Sequence, residues 1–240
     1  MNKITAIILL ISSLVFTFCG NTQTIKSVSP QEFKALIASG NGIVLDVRTP
    51  EEVASGKIEN ASTLNYYDKD FESKLAFIQK DKPVYVYCKS GGRSSKAAEI
   101  LTELGQFEVY NLSGGMRAWK KAELPVVASS VVKDAHIKSL SVADFDALLA
   151  TNKKVLVDFH TQWCVPCRKM IPIIDDLEKS LKDQVFVVRI DLDQSEALTE
   201  KYNIVSVPTF LLFTEGVEVW RQAGIMSKDD LLKQLPDNRN

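Results

Sequence analysis

Histidine occurs twice and cysteine four times in 240 residues, and that scarcity narrows the chemistry before any motif is read. A tetrahedral zinc site needs four ligands. Cys164 and Cys167 could supply two, but Cys19, Cys88, His136 and His160 form no second cluster at finger-like spacing, so no metal and no cofactor is implied. An excess of one charge is also missing. The 29 basic and 30 acidic residues leave a formal net charge of −1, and basic pairs such as Lys120-Lys121 and Lys153-Lys154 are scattered. That excludes the electrostatic footprint of a nucleic-acid binder. The N-terminal apolar run, Ile4 to Phe18, is shorter than the about 20 residues of a membrane-spanning helix. It follows Lys3 and reads as a secretory signal.

What is present suits two domains. A chain of this length with 45% hydrophobic residues can bury two independent cores of about a hundred residues each. The boundary falls after Leu124-Pro125-Val126-Val127, where Ala128 to Asp134 lacks both helical periodicity and glycine and reads as a short, stiff connector. The expected organisation is a signal over 1–24, a first domain over 27–128, a connector over 129–135 and a second domain over 136–240. The stretch Ser27 to Ala38 matches Ser139 to Ala150 at an offset that continues to Asp46 and Asp158. In each copy a serine N-cap (Ser29, Ser141) has an acidic N3 residue (Glu32, Asp144), and an apolar helix face follows. The copies diverge after the aspartates, so shared local physics explains them better than duplication does.

The stretch Trp163-Cys164-Val165-Pro166-Cys167 follows the strand-like run Val155 to Phe159, at an expected helix start. Unpaired N–H groups there favour thiolate at Cys164, the expected nucleophile. Cys167, one turn later, faces the same way and can expel the product from a mixed disulfide. The chemistry is dithiol–disulfide exchange. From about Ala135 to Leu235 the sequence resembles the thioredoxin family, through this motif, Val157-Asp158-Phe159, Val207-Pro208-Thr209 and Gly224. The resemblance implies that Asp158 is a buried carboxylate assisting proton transfer at Cys167. It also implies that Pro208 forms a cis-proline turn against the disulfide, leaving the preceding backbone free to pair with an extended substrate. Val165 stands in place of glycine, His160 in place of an aromatic and Arg189 in place of lysine. His160 is read as a strand-end residue.

A second chemical loop lies upstream. Val84 to Tyr87 alternates like a buried strand, and Cys88-Lys89-Ser90-Gly91-Gly92-Arg93-Ser94 leads into a helical pattern ending at Leu104. Gly91 and Gly92 let the backbone curl around the sulfur, its N–H groups and the helix N-terminus form an anion cradle, and Lys89 and Arg93 add positive charge. A buried structural cysteine is the plainer reading. Against it, residues from about Ser27 to Val127 resemble the rhodanese family. The matches are Asp46-Val47-Arg48 with Glu52, Gly56 to Ala61, the six-residue loop Cys88 to Arg93, and Gly114-Gly115 with Trp119. Lys57 replaces a histidine and Glu123 a glycine. The resemblance implies that Cys88 takes a sulfane sulfur as a persulfide and passes it on. Asp46 and Arg48 are read as fold-tying residues.

The expected fold class is therefore α/β, a rhodanese-like parallel-sheet domain followed by a thioredoxin-like mixed-sheet domain. The cysteine directly after the apolar run resembles a bacterial lipoprotein box, although Phe18 stands where a small residue is usual. It predicts a lipid anchor on Cys19; a soluble exported protein and an uncleaved anchor are the alternatives. All three place both domains outside the cytosol, in the periplasm, where reduction needs electrons delivered through the membrane. The expected function is sulfur transfer from thiosulfate or a persulfide to Cys88, with Cys164 and Cys167 reducing the persulfide. The alternatives are a general disulfide oxidoreductase beside an independent sulfurtransferase, and a rhodanese-like half that only docks a partner.

Overall fold

Short β-branched runs separated by capped helices build two sheets, one per domain, in the computed structural model, which describes residues 24–106, 108–128, 137–138 and 140–235. The signal run and Cys19 lie outside the described residues, as does the connector over 129–135. Among the described residues no helix is long and apolar enough to cross a membrane.

The first domain runs β1 (Thr24–Val28), α1 (Pro30–Ala38), β2 (Ile43–Asp46), α2 (Pro50–Ala54), β3 (Ser62–Thr63), α3 (Phe71–Ala76), β4 (Val84–Tyr87), α4 (Gly92–Glu103), β5 (Glu108–Leu112) and α5 (Gly115–Lys121). Its strands lie in the order β1-β5-β4-β2-β3, and every pairing is parallel. Crossover helices cover both faces of such a sheet, so its strands are buried on both sides. On one face Tyr85 and Tyr87 pack with Phe33 and Trp119; on the other Val84 and Val86 pack with Leu45, Leu75 and Leu101. β1 starts at Thr24, inside the stretch assigned above to the signal, because Thr24 pairs with Glu108 at the sheet edge.

The second domain runs β6 (Ile137–Lys138), α6 (Val142–Thr151), β7 (Lys154–His160), α7 (Val165–Ser180), β8 (Phe186–Asp191), a 3-10 turn (Leu192–Gln194), α8 (Glu196–Lys201), β9 (Thr209–Thr214), β10 (Val217–Ala223) and α9 (Lys228–Gln234). The order is β10-β9-β7-β8-β6, with β9 antiparallel to both its neighbours and the rest parallel. Phe145, Leu149 and Leu198 cover one face; Met170, Ile174, Leu177 and Leu231 cover the other. The two matching serine caps do the same local work. Ser29 Oγ accepts from the Glu32 N–H at 3.3 Å and Ser141 Oγ from the Asp144 N–H at 3.1 Å. Beyond the caps the aspartates part ways: Asp46 holds its near neighbour Arg48, whereas Asp158 faces Arg189 on another strand.

The domains touch through the edge of the first sheet. The Val165 N–H donates to Ser62 Oγ at 3.0 Å and the Val207 N–H to the Phe77 carbonyl at 3.1 Å. Lys74 lies 3.7 Å from Asp193, and Trp163 packs against the cores of both domains.

Candidate active sites

Cys88 lies where β4 ends, and the loop after it turns back over its own sulfur. That turn needs a left-handed residue, and Gly91 supplies it with φ +104°. The Gly91 N–H donates to Cys88 Sγ at 3.1 Å, and the Ser94 hydroxyl lies 3.4 Å from the sulfur and 3.0 Å from the Gly91 carbonyl. Burial pushes the Cys88 thiol up. The Ser94 hydroxyl and the N–H groups of Ser94, Ser90 and Gly91 outweigh that and leave it below its ordinary value. The donors that face the sulfur are backbone N–H groups plus the Ser94 hydroxyl. At Gly92, the first residue of α4, a Cβ would meet nothing within 4 Å, so sterics do not demand glycine there.

Lys89 and Arg93, expected to add positive charge to the loop, are each paired with a carboxylate. Both cations turn to Glu52, Arg93 at 2.8 Å and Lys89 at 3.9 Å, and Arg93 also stacks over the Tyr67 ring. Glu52 belongs to the capping box of α2, its carboxylate accepting from the Thr49 N–H at 3.0 Å. Burial raises the Glu52 carboxyl, but Thr49, Arg93 and Lys89 together hold it below the usual carboxylate range. Arg48 anchors this segment, bonded to the Asp46 carboxylate and to the carbonyls of Glu52 and Gly56. Lys57, in the histidine position, is buried and donates to the Ala61 carbonyl at 2.6 Å. Glu123, in the glycine position, keeps the left-handed backbone with φ +53°.

Sequence reasoning did not assign α5 to the site. The Met116 N–H donates to the Cys88 carbonyl at 2.8 Å and the Arg117 N–H to the Lys89 carbonyl at 3.0 Å, so the start of this helix holds the loop backbone. Gly115, at φ +56°, lets the chains approach: a Cβ there would run into the Cys88 carbonyl oxygen. The Gly114-Gly115 pair was visible, but only as a family marker.

Cys164 caps α7, its sulfur accepting from the Cys167 N–H at 3.1 Å, and is joined to Cys167 by a disulfide with Cα atoms 5.3 Å apart. The two positions are 2% and 1% exposed. Asp158, 1% exposed in the middle of β7, lies opposite Arg189, whose Nε is 4.0 Å from its carboxylate. Nη2 of the same guanidinium donates to Asp175 at 2.6 Å and to the Ile171 carbonyl at 3.1 Å, tying Asp158 to α7. His160 ends β7, buried, with Nε2 lacking a hydrogen-bond partner among the described residues. The Val207–Pro208 peptide is cis, and the Gly224 N–H donates to the Pro208 carbonyl at 2.8 Å. The backbone before Pro208 is not free, contrary to expectation, because the Val207 N–H is already bonded to Phe77 of the first domain.

Family models match both halves, the rhodanese-like domain over residues 29–122 and thioredoxin over residues 136–237. Similar proteins include chloroplastic thioredoxin Y1 of Arabidopsis thaliana, 37% identical over 93 residues. A thioredoxin of Mycoplasmoides gallisepticum is 39% identical over 93 residues, and a thioredoxin-like protein of Synechocystis is 42% identical over 94. Each match covers 39% of this chain, and the chain spans 54%, 92% and 90% of those relatives in turn. With the disulfide at the start of α7 and an all-parallel sheet upstream, these matches place the chain in the thioredoxin family through its second domain, fused behind a rhodanese-like domain.

Proposed function

We propose that the chain is a sulfurtransferase coupled to a thiol–disulfide reductase. The Cys88 thiolate attacks the sulfane sulfur of thiosulfate or of a persulfide; with thiosulfate, a sulfur–sulfur bond forms on Cys88 and sulfite leaves with the electron pair of the broken bond. The Cys164 thiolate then attacks the outer sulfur and releases Cys88 as thiolate. Cys167 attacks Cys164 in turn, closing the disulfide and expelling hydrosulfide. One dithiol is oxidised and one persulfide reduced per turnover, and a dithiol reductant restores the pair. An exported chain lipidated at Cys19 would draw that reductant from electrons delivered across the membrane. The observation that carries this reading is the set of donors around Cys88 Sγ, which stabilises a thiolate or persulfide anion at the end of β4.

Mass spectrometry of the full chain after thiosulfate treatment tests it. One added sulfur is expected on the Cys88 peptide, removed when Cys164 and Cys167 are in the reduced form. An unmodified Cys88 peptide after thiosulfate and after a persulfide donor would refute sulfur transfer.

A further inference from the structure

Part of the second domain's surface, including the residues on either side of Cys164, is covered by the other half of the same chain, through contacts that come from several elements. The Phe77 carbonyl, just past α3, takes the Val207 N–H beside Pro208. Ser62, on the two-residue edge strand β3, takes the Val165 N–H, the first in α7 after Cys164. The Gln79 side chain lies on Gly224, where an added Cβ would stand 2.7 Å from its amide nitrogen. Trp163, next to Cys164, packs into both cores and donates from Nε1 to Asp193 at 3.4 Å, while Lys74 approaches the same carboxylate. Val165 and Val207 are buried, and a buried N–H without an acceptor is costly. Ser62 and Phe77 therefore satisfy donors that any other occupant of this surface would have to satisfy. The edge strand β3 is also covered by the contact, as edges commonly are.

We propose that the rhodanese-like domain docks in cis over the face of the thioredoxin domain that carries Val165 and the turn at Pro208, the backbone expected to pair with an extended substrate, and that the domains must part before Cys164 can react. The contact carrying this is the pair of backbone N–H groups of Val165, between the two cysteines, and Val207, before the cis-proline, each held by an acceptor from the first domain. The proposal rests on reading Cys164 and Cys167 as the reactive pair, and the test separates the two ideas by following amide exchange and chemical labelling rather than turnover.

Two full-chain variants disturb the contact from different sides. Ser62→Arg sets a long cation against the start of α7, and Lys74→Glu sets a carboxylate opposite Asp193 and next to Asp70. Circular dichroism and thermal melting report whether each still folds, and Lys74, half-buried on a helix, is the safer change. Hydrogen exchange at the Val165 and Val207 amides should be at least tenfold faster in either variant than in the wild-type chain. Alkylation of reduced Cys164 by iodoacetamide should rise at least tenfold in parallel. Equal exchange in wild type and both folded variants would overturn the docking. Faster exchange with unchanged alkylation would overturn the gate. Loss of disulfide turnover with both readouts as expected would strike the oxidoreductase reading and leave the docking standing.

Discussion

The Ser94 hydroxyl is one of the donors that lower the Cys88 thiol against burial, and Ser94→Ala removes it. The change is small in volume at a position that is fully buried, so the fold should tolerate it. A hydrogen bond to a charged acceptor contributes about 1.5–3 kcal/mol. At 3.4 Å, and shared with the Gly91 carbonyl, this one belongs at the lower end. About 1.4 kcal/mol is a factor of ten, so at a pH below the folded-state values of both chains alkylation of Cys88 should slow about tenfold, while the rate at high pH, where both forms are thiolate, converges. Peptide mass spectrometry after iodoacetamide, across a pH series, reads this directly with Cys164 and Cys167 kept as the disulfide. The linkage has a matching sign. A thiol held below its ordinary value in the folded state stabilises the fold above the unfolded-state value, and that gain is lost as pH falls through the folded value. Wild type should therefore gain stability over Ser94→Ala on going from pH 6 to 9. An unchanged alkylation profile in a folded Ser94→Ala chain would refute the assignment and leave the backbone donors as the sole support.

Glu52→Gln keeps a capping-box residue on α2 but frees Lys89 and Arg93, so Cys88 should favour anionic iodoacetate over neutral iodoacetamide by about threefold more than wild type at low salt, fading as salt rises. Gly115→Ala should cost at least about 2 kcal/mol by thermal unfolding and abolish persulfide formation, since a left-handed Ala costs about 1–2 kcal/mol and its Cβ also strikes the loop; Gly40→Ala, left-handed but open, should pay only the first part. Cys167→Ala should accumulate mixed disulfides with a protein substrate on non-reducing gels whereas Cys164→Ala should not; the reverse pattern would exchange their roles.

Much of the fold was legible because local periodicity and burial agree. Val84 to Tyr87 reads as a buried strand and is one, with successive side chains entering opposite cores. The serine caps at 29 and 141 mark true helix starts. The cysteine loop was legible as a cradle because its glycines and its position before a helix are local features. Its charge was not: Lys89 and Arg93 are near Cys88 in sequence, but Glu52 meets them only through the fold. Gly115 was similarly hidden, because its role is set by a carbonyl 27 residues earlier in the chain. The docking of the two domains left no trace in the sequence. A backbone carbonyl at Phe77 and a lone serine on an edge strand carry no pattern, and only the assembled chain shows which N–H groups they meet.

The docked arrangement also bears on the proposed sulfur relay. Ser62, which touches α7, lies opposite Leu45 on β2, and Leu45 lies opposite Val86 on β4, two residues short of Cys88. Two strand spacings of about 4.8 Å and two residues of about 3.3 Å put Ser62 roughly 12 Å from Cys88. A persulfide extends Cys88 by only about 2 Å. With β2 between them, the proposed sulfur transfer to Cys164 is expected to follow parting of the domains and a new encounter at the Cys88 loop. The stretch from Val127 to Ile137 can span at most roughly 35 Å when extended, so the separated domains stay at an effective concentration in the millimolar range. Single-turnover sulfide release from the persulfidated, reduced chain should then be independent of protein concentration, and faster in Ser62→Arg, where parting is easier. An equimolar mixture of Cys88→Ala and Cys164→Ala/Cys167→Ala chains should be slower and concentration-dependent. Equal rates for mixture and intact chain at micromolar protein would show that the tether contributes nothing. A slower Ser62→Arg chain would instead mean that the observed contact is itself part of the transfer path.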